Sequence, residues 1–268
     1  MSSEHLVVEK VGHIAYLTMN RPEKRNAMDL SFFSEIGNQF KEFDKDPSVY
    51  VVIIKGAGKS FTVGLDLMAA AALIEGGGGA AAREELRMQI RELQEGFNWI
   101  EKCRKPVISA IHGHCVGGGI DLACASDIRI ATKDAIFSIR ETKIAIIADV
   151  GTLQRLPYIV GQGWYRELGL TGRDFYADEA LKMGFITRLC EDKDELYKEA
   201  DKLANEIAEN APLTVQGIKD VMNYTRDNGV YPGLEYVAQK NAAAVLSDDL
   251  MEAVSAFMEK RKPTFKGN

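Results

Sequence analysis

Cysteine is scarce in this 268-residue chain, and the four present, Cys103, Cys115, Cys124 and Cys190, form no CxxC pair and no cluster with histidine. That spacing offers neither a zinc site nor a disulfide framework, so the expectation is a reducing compartment and no metal. Long hydrophobic runs are missing too. No uncharged apolar stretch approaches the roughly 20 residues needed to cross a membrane. Basic charge is in deficit, with 33 Lys and Arg against 39 Asp and Glu and a formal net charge of −6. An acidic surface is poorly matched to polyphosphate, which argues against nucleic acid or an anionic membrane as a partner. The first ten residues carry Glu4 and Glu9 without an apolar core, and the chain ends Lys266-Gly267-Asn268 rather than on a peroxisomal address. The expectation from these ends is a cytoplasmic protein.

What the chain does have is 46% hydrophobic and 27% charged residues, an ordinary balance for a folded domain. Val7-Val8 and Ile14 to Met19 read as two strands around a turn at Gly12. Asp29 stands as an N-cap before the periodic run Leu30, Phe33, Ile36, Phe40 and Phe43. Val49 to Lys55 is apolar without alternation, as a strand covered on both faces should be. Residues 69–82 hold four consecutive glycines, Gly76 to Gly79, and read as a mobile loop. A helix is expected over 83–102 and strands at Pro106–Ile111, Ile128–Ala131 and Ala135–Ile139. From about residue 150 the pattern reads as helical. The expected fold class is α/β: a spiral of β-β-α units over residues 1–200, then a helical C-terminal region over 201–268 that serves oligomerisation and covers the site.

Three segments carry the chemistry: Phe61 to Leu67, Gly113 to Leu122, and Arg140 to Thr152. In the second, a strand runs through Gly117-Gly118-Gly119 into a helix-compatible run. Glycines there let the backbone approach a ligand, and the free N–H groups of a helix start can hold an oxyanion. A plain tight turn explains a lone triple glycine equally well. Asp121, Glu141 and Asp149 are each open to a dull reading as a cap or a solvated loop residue. Their company is the stronger signal. Glu141 and Asp149 bracket the apolar run Ile144 to Ala148, and acids among apolar neighbours acquire the raised pKa values that suit acid–base work.

Four segments in order, MNRPEKRNAM, FTVGLDL, VGGGIDL and AFMEKRKPTF, resemble patterns of the crotonase (enoyl-CoA hydratase/isomerase) superfamily across nearly the whole chain. The set Asp121, Glu141 and Asp149, with ADVGTLQRLP at 148–157, is most similar to the Δ3,5-Δ2,4-dienoyl-CoA isomerase branch. The resemblance implies a crotonase-type spiral acting on an acyl-CoA thioester, in which coenzyme A belongs to the substrate and no separate cofactor is needed. It implies an oxyanion hole from the N–H groups of Leu65 and Gly118, with Glu141 serving C2, Asp149 serving C6, and Asp121 in positioning and charge balance. Contacts to coenzyme A are implied for Lys24, Arg25, Ala27, Val63, Gly64, Asp66 and Leu67, and a homotrimer or homohexamer for the assembly. Alternatives within the fold are an enoyl-CoA hydratase or a Δ3-Δ2-enoyl-CoA isomerase. An RNA-binding or catalytically inactive member would be of a different class. His112 and His114 are read as structural groups satisfied by hydrogen bonds.

Overall fold

The computed structural model describes residues 5–68 and 79–268, so the expectation of a mobile loop at Gly76–Gly79 falls, but for Gly79, outside the described residues. Strands β1 (Leu6–Val11) and β2 (Ile14–Met19) form a hairpin whose register closes at Val11 opposite Ile14. Gly12 makes that turn with a φ of 56°. Helix α1 (Leu30–Lys45) begins where expected: the Asp29 carboxylate accepts the N–H groups of Ser31 and Phe32. Its buried face is Phe32, Phe33, Ile36, Gly37, Phe40 and Phe43, one stripe at helical period. Helix α2 (Ala80–Lys102) crosses it at Gly96, where any side chain would collide with the Phe33 carbonyl.

The main sheet adds β3 (Val51–Gly56), β4 (Val107–Ile111), β6 (Ile128–Thr132) and β9 (Arg188–Cys190), all parallel, in the order β1-β2-β3-β4-β6-β9. The unbroken apolar run of β3 has a plain cause. Val52 and Ile54 join the large core beneath α1 and α2, while Val51 and Ile53 face a second core with Leu196, Ala200 and Ala204 of α7 (Lys193–Ala208).

A smaller sheet, β5-β7-β8, stands beside the first. From β4 the chain enters β5 (His114–Val116), then α3 (Gly118–Ala125), returns to the main sheet as β6, and crosses again to β7 (Ile136–Ser138). This is the expected α/β spiral of strand, strand and helix. The reading of everything beyond 150 as helical is corrected: β8 (Asp174–Tyr176) pairs with β7, and β9 closes the edge of the main sheet. Each is three residues long, too short to show a period of two. Around them lie α4 (Thr152–Arg155), α5 (Pro157–Thr171) and α6 (Ala177–Lys182). The C-terminal helices are α8 (Pro212–Asn228), α9 (Val230–Ala244) and α10 (Asp248–Glu259). Residue 200, where the sequence division was placed, lies inside α7, which packs on the sheet.

Candidate active site

The site is assembled by three chain crossings. Asn26, with φ 57°, is buried and acts as a latch. Its Nδ2 donates to the carbonyls of Ala57, Ser60 and Phe61 at 2.9, 2.8 and 3.1 Å, and its Oδ1 accepts the Arg21 N–H at 2.9 Å. Thr62, also buried, donates its hydroxyl to the Asn26 carbonyl at 2.7 Å and accepts the Gly64 N–H at 3.0 Å. The 25–28 segment therefore runs beside 63–66: Val63 N–H donates to Arg25 O, Met28 N–H to Gly64 O and Asp66 N–H to Met28 O. The second crossing lays Gly64 on the turn 116–118. A Cβ on Gly64 would come 2.6 Å from Val116 O and 2.9 Å from Gly118 N. With φ of 80° at Gly64 and 56° at Gly117, only glycine lets these two turns touch.

At that contact two donors are left over. Gly118 is the first residue of α3, so its N–H has no partner within the helix, and Leu65 N–H has no acceptor among the described residues. They are neighbours: a Cβ built on Gly118 would lie 3.8 Å from Leu65 N. Two neighbouring backbone N–H groups left without acceptors are what an oxyanion hole requires.

The third crossing brings in the acids. Glu141 sits in a 3₁₀ turn (Arg140–Ile144) directly after β7, and its Oε1 would lie 3.3 Å from a Cβ on Gly117. Asp121, one turn into α3, is 1% exposed. Its Oδ1 accepts the Thr152 N–H at 2.6 Å, so it serves the start of α4 rather than its own helix. Asp149 lies just before that helix, and its carbonyl accepts Gln94 Nε2 at 2.7 Å. Burial pushes the Glu141 carboxyl up to about 7, helped by the charges of Asp121 and Asp149. Burial pushes Asp121 up to about 6 against its bond from Thr152, with Asp149 adding to the rise. Asp149 is raised as well, by burial. Glu141 Oε2 and Asp121 Oδ2 are buried without a partner among the described residues. Within the apolar run between Glu141 and Asp149, Ile144, Ile146 and Ile147 are exposed and Ala148 is buried. Withdrawal from water raises all three carboxyls, and repulsion from neighbouring acids adds to the rise at Asp121 and Glu141.

The residues assigned to coenzyme A lie together on the outer rim. Arg25 is exposed in a left-handed turn (φ 52°), and Lys24 Nζ donates to Asp66 Oδ2 at 3.2 Å. Ala27, Val63 and Gly64 line the paired segments, and Leu67 is exposed beside them. His112, expected to be satisfied by hydrogen bonds, is so at one nitrogen only: its Nε2 meets Gly58 O at 3.2 Å, its Nδ1 is buried without a partner among the described residues, and burial pushes it down to about 4. His114 Nδ1 meets Ser60 Oγ at 3.3 Å. Asn26, Thr62, Gln94 and Thr152 were not singled out from the sequence. Asn26 lies in MNRPEKRNAM, Thr62 in FTVGLDL and Thr152 in ADVGTLQRLP, so for these three the segment carried a signal that the single residue did not, and Gln94 lies in none of them.

With this geometry in view, comparison with known proteins gives a consistent picture. The family model for enoyl-CoA hydratase/isomerase matches residues 9–268. A peroxisomal Δ(3,5)-Δ(2,4)-dienoyl-CoA isomerase of Arabidopsis thaliana is 45% identical, over 94% of this chain and 92% of that protein. The mitochondrial enzyme of the same name from Mus musculus is also 45% identical, over 93% of this chain and 77% of its own length. The crystal structure of an enoyl-CoA hydratase from Bacillus anthracis superposes with a TM-score of 0.91 at 31% identity, covering 99% of this chain and all of that one. The two isomerase names correct the cytoplasmic expectation, since those relatives are peroxisomal and mitochondrial proteins.

Proposed function

This chain belongs to the enoyl-CoA hydratase/isomerase family, and from that premise we propose that it isomerises 3,5-dienoyl-CoA to 2,4-dienoyl-CoA. The observation that carries the reading is one buried acid, Asp121, and two half-buried ones, Glu141 and Asp149, all raised by burial, beside two backbone donors without an acceptor among the described residues. The thioester oxygen is held by the N–H groups of Leu65 and Gly118, which makes a C2 proton acidic. Ionised Glu141 takes that proton, and the electron pair moves into a dienolate whose charge rests on the held oxygen. Such a donor typically contributes about 2.7–4 kcal/mol to the transition state. Protonated Asp149 gives its proton to C6, the dienolate collapses, and the two double bonds lie one carbon nearer the thioester. Asp121 orients the turn that bears Asp149 through Thr152 and, when ionised, keeps Glu141 basic.

Hydration of an enoyl-CoA is the weaker reading. It needs two carboxylates around one water, and Asp121 is shorter than the usual glutamate and already engaged by Thr152. Lys24 and Arg25 supply charge for the phosphates of coenzyme A, and Ala27 with Val63, Gly64, Asp66 and Leu67 supplies the rim on which its adenine rests. The unit is a spiral core with a C-terminal helical region that joins copies into trimers or hexamers. The test compares turnover of a 3,5-dienoyl-CoA and a 2-enoyl-CoA by the same preparation. Isomerisation should dominate, and Asp149→Asn should lower it at least about 10²-fold while C2 exchange with solvent continues. Glu141→Gln should abolish both. Enoyl hydration without dienoyl turnover would return the protein to the hydratase reading.

A further inference from the structure

The turn that bears Asp149 leans on one guanidinium. Arg155, in α4, has a side chain only 10% exposed. Its Nη2 donates to Asn98 Oδ1 at 2.7 Å and to Glu101 Oε2 at 3.1 Å, both on α2. Its Nη1 fills the space where Gly151 would carry a Cβ, so a side chain at Gly151 would collide with it. Gly151 has a φ of 133°, which a side chain would not tolerate in any case. On the other side of the acid, Gln94, also on α2, holds the Asp149 carbonyl. The stretch from Asp149 to Thr152 is thereby fixed at both ends to one helix, and its Thr152 N–H reaches Asp121.

The second oxygen of Glu101 accepts Arg226 Nη1 from α8. Burial pushes the Glu101 carboxyl up, but Arg155 and Arg226 outweigh that and hold it below its usual value. The acid is thus a charged bridge between two arginines, one behind the catalytic turn and one in the C-terminal region. Arg155 Nε is buried without a partner among the described residues, so Asn98 and Glu101 alone hold the guanidinium. Here those partners draw it against Gly151.

We propose that Arg155 is a positioning residue for the C6 proton transfer: clamped by Asn98 and Glu101, it props the Gly151 turn and sets where the Asp149 carboxyl stands over the dienolate. This rests on the isomerase reading above. It assigns a function to a side chain that touches no part of the substrate, and it makes the reaction sensitive to how α8 docks. Arg155 also contributes a positive charge near Asp121, which lowers the protonation of that acid. A lysine would keep the charge but not the fork that reaches Asn98 and Glu101 together.

The separating measurement is the ratio of C2 hydrogen exchange to dienoyl turnover, because Glu141 stands on a different turn from Asp149. In Arg155→Gln, turnover should fall by at least about tenfold while exchange and KM stay within about twofold, since an error of about 1 Å in a reacting group can cost 10²-fold. Arg155→Lys should recover part of the loss. Glu101→Gln should give a smaller rise of the same ratio. If exchange and turnover fall together in these variants, Arg155 only stabilises the fold and the proposal fails. An unchanged ratio in all three defeats it equally. Should Arg155→Gln not fold, the lysine and Glu101 variants, assayed below their melting temperatures, decide on the same ratio. Absence of dienoyl turnover in the unmodified protein would instead defeat the parent reading.

Discussion

A buried carboxylate with an unpaired oxygen is costly, and Asp121 and Glu141 both have one. The cost shows in two pH dependences that one variant separates. Glu141 stands at about 7, through burial first and the charge of Asp121 second. As a base it is lost when pH falls through that value, so the acid limb of kcat/KM should lie near 7. Asp121→Asn removes a negative neighbour, which lowers Glu141 and moves that limb to lower pH. Stability moves too. Burial raises Asp121 from 3.8 to about 6 in the folded protein. Its contribution is therefore present below the unfolded value and lost as pH rises through the folded one. At about 1.4 kcal/mol per pH unit, ionising it costs about 3 kcal/mol by pH 7. Asparagine does not titrate, so the melting temperature of Asp121→Asn should gain on the unmodified protein between pH 4 and 7. Parallel melting curves across that range would show that Asp121 carries no such penalty. The acids themselves were legible in the sequence through their resemblance to a known pattern. Thr152 and Arg155 lie inside the run ADVGTLQRLP, but their roles were not legible, because a backbone N–H and a guanidinium behind a glycine leave no spacing to read.

Elements were legible where one layer imposes one period. The α1 stripe and its Asp29 cap, and the two-sided burial of β3, follow from local sequence alone. Legibility failed where pairing partners are distant: β8 and β9 exist because β7 and β6 offer them an edge. Of the run Ile144 to Ala148 only Ala148 is buried, since apolar character does not say which way a loop faces, yet the raised carboxyls expected on either side of it are found. Asn26 is the element-scale joint. It gathers three carbonyls from the 57–61 turn, and the strand-like pairing of 25–28 with 63–66 follows from it. Asn26→Ala strands those buried acceptors, which should cost about 1–3 kcal/mol. Because the same segment carries Leu65, KM and kcat should both worsen, unlike the Arg155 variants, where kcat alone does. Calorimetry with steady-state kinetics checks this. Lost stability with unchanged kinetics would detach the latch from the oxyanion pair.

At the scale of the molecule, α8 is bound to the core by polar links, and α9 and α10 beyond it are left apolar on the outside. Lys219 of α8 is buried and donates to Asp127 Oδ2 at 2.7 Å, to Lys105 O at 3.0 Å and to Ile100 O at 3.4 Å. On α10 the inward face is Asp249 and Ala256, with Asp249 accepting the N–H groups of Lys266 and Gly267. Its opposite face presents Leu250, Met251, Val254, Phe257 and Met258, spaced as one helical stripe and all exposed. Val230, Tyr231 and Leu234 of α9 are exposed as well. A helix that satisfies its polar residues inward and points an ordered apolar stripe at solvent is built to be covered. If the assembly proposed above holds, the cover is a second copy of the chain. Burying each such large side chain at a contact is worth about 1.5–3 kcal/mol. Light scattering at micromolar concentration should then give the mass of three or six chains. Val254→Asp sets an unpaired charge in the stripe without touching the acids or the oxyanion pair. It should shift that mass toward one chain and leave C2 exchange per chain measurable. A monomeric unmodified protein, or an unchanged mass in Val254→Asp, would show that this stripe is not the surface that joins the copies.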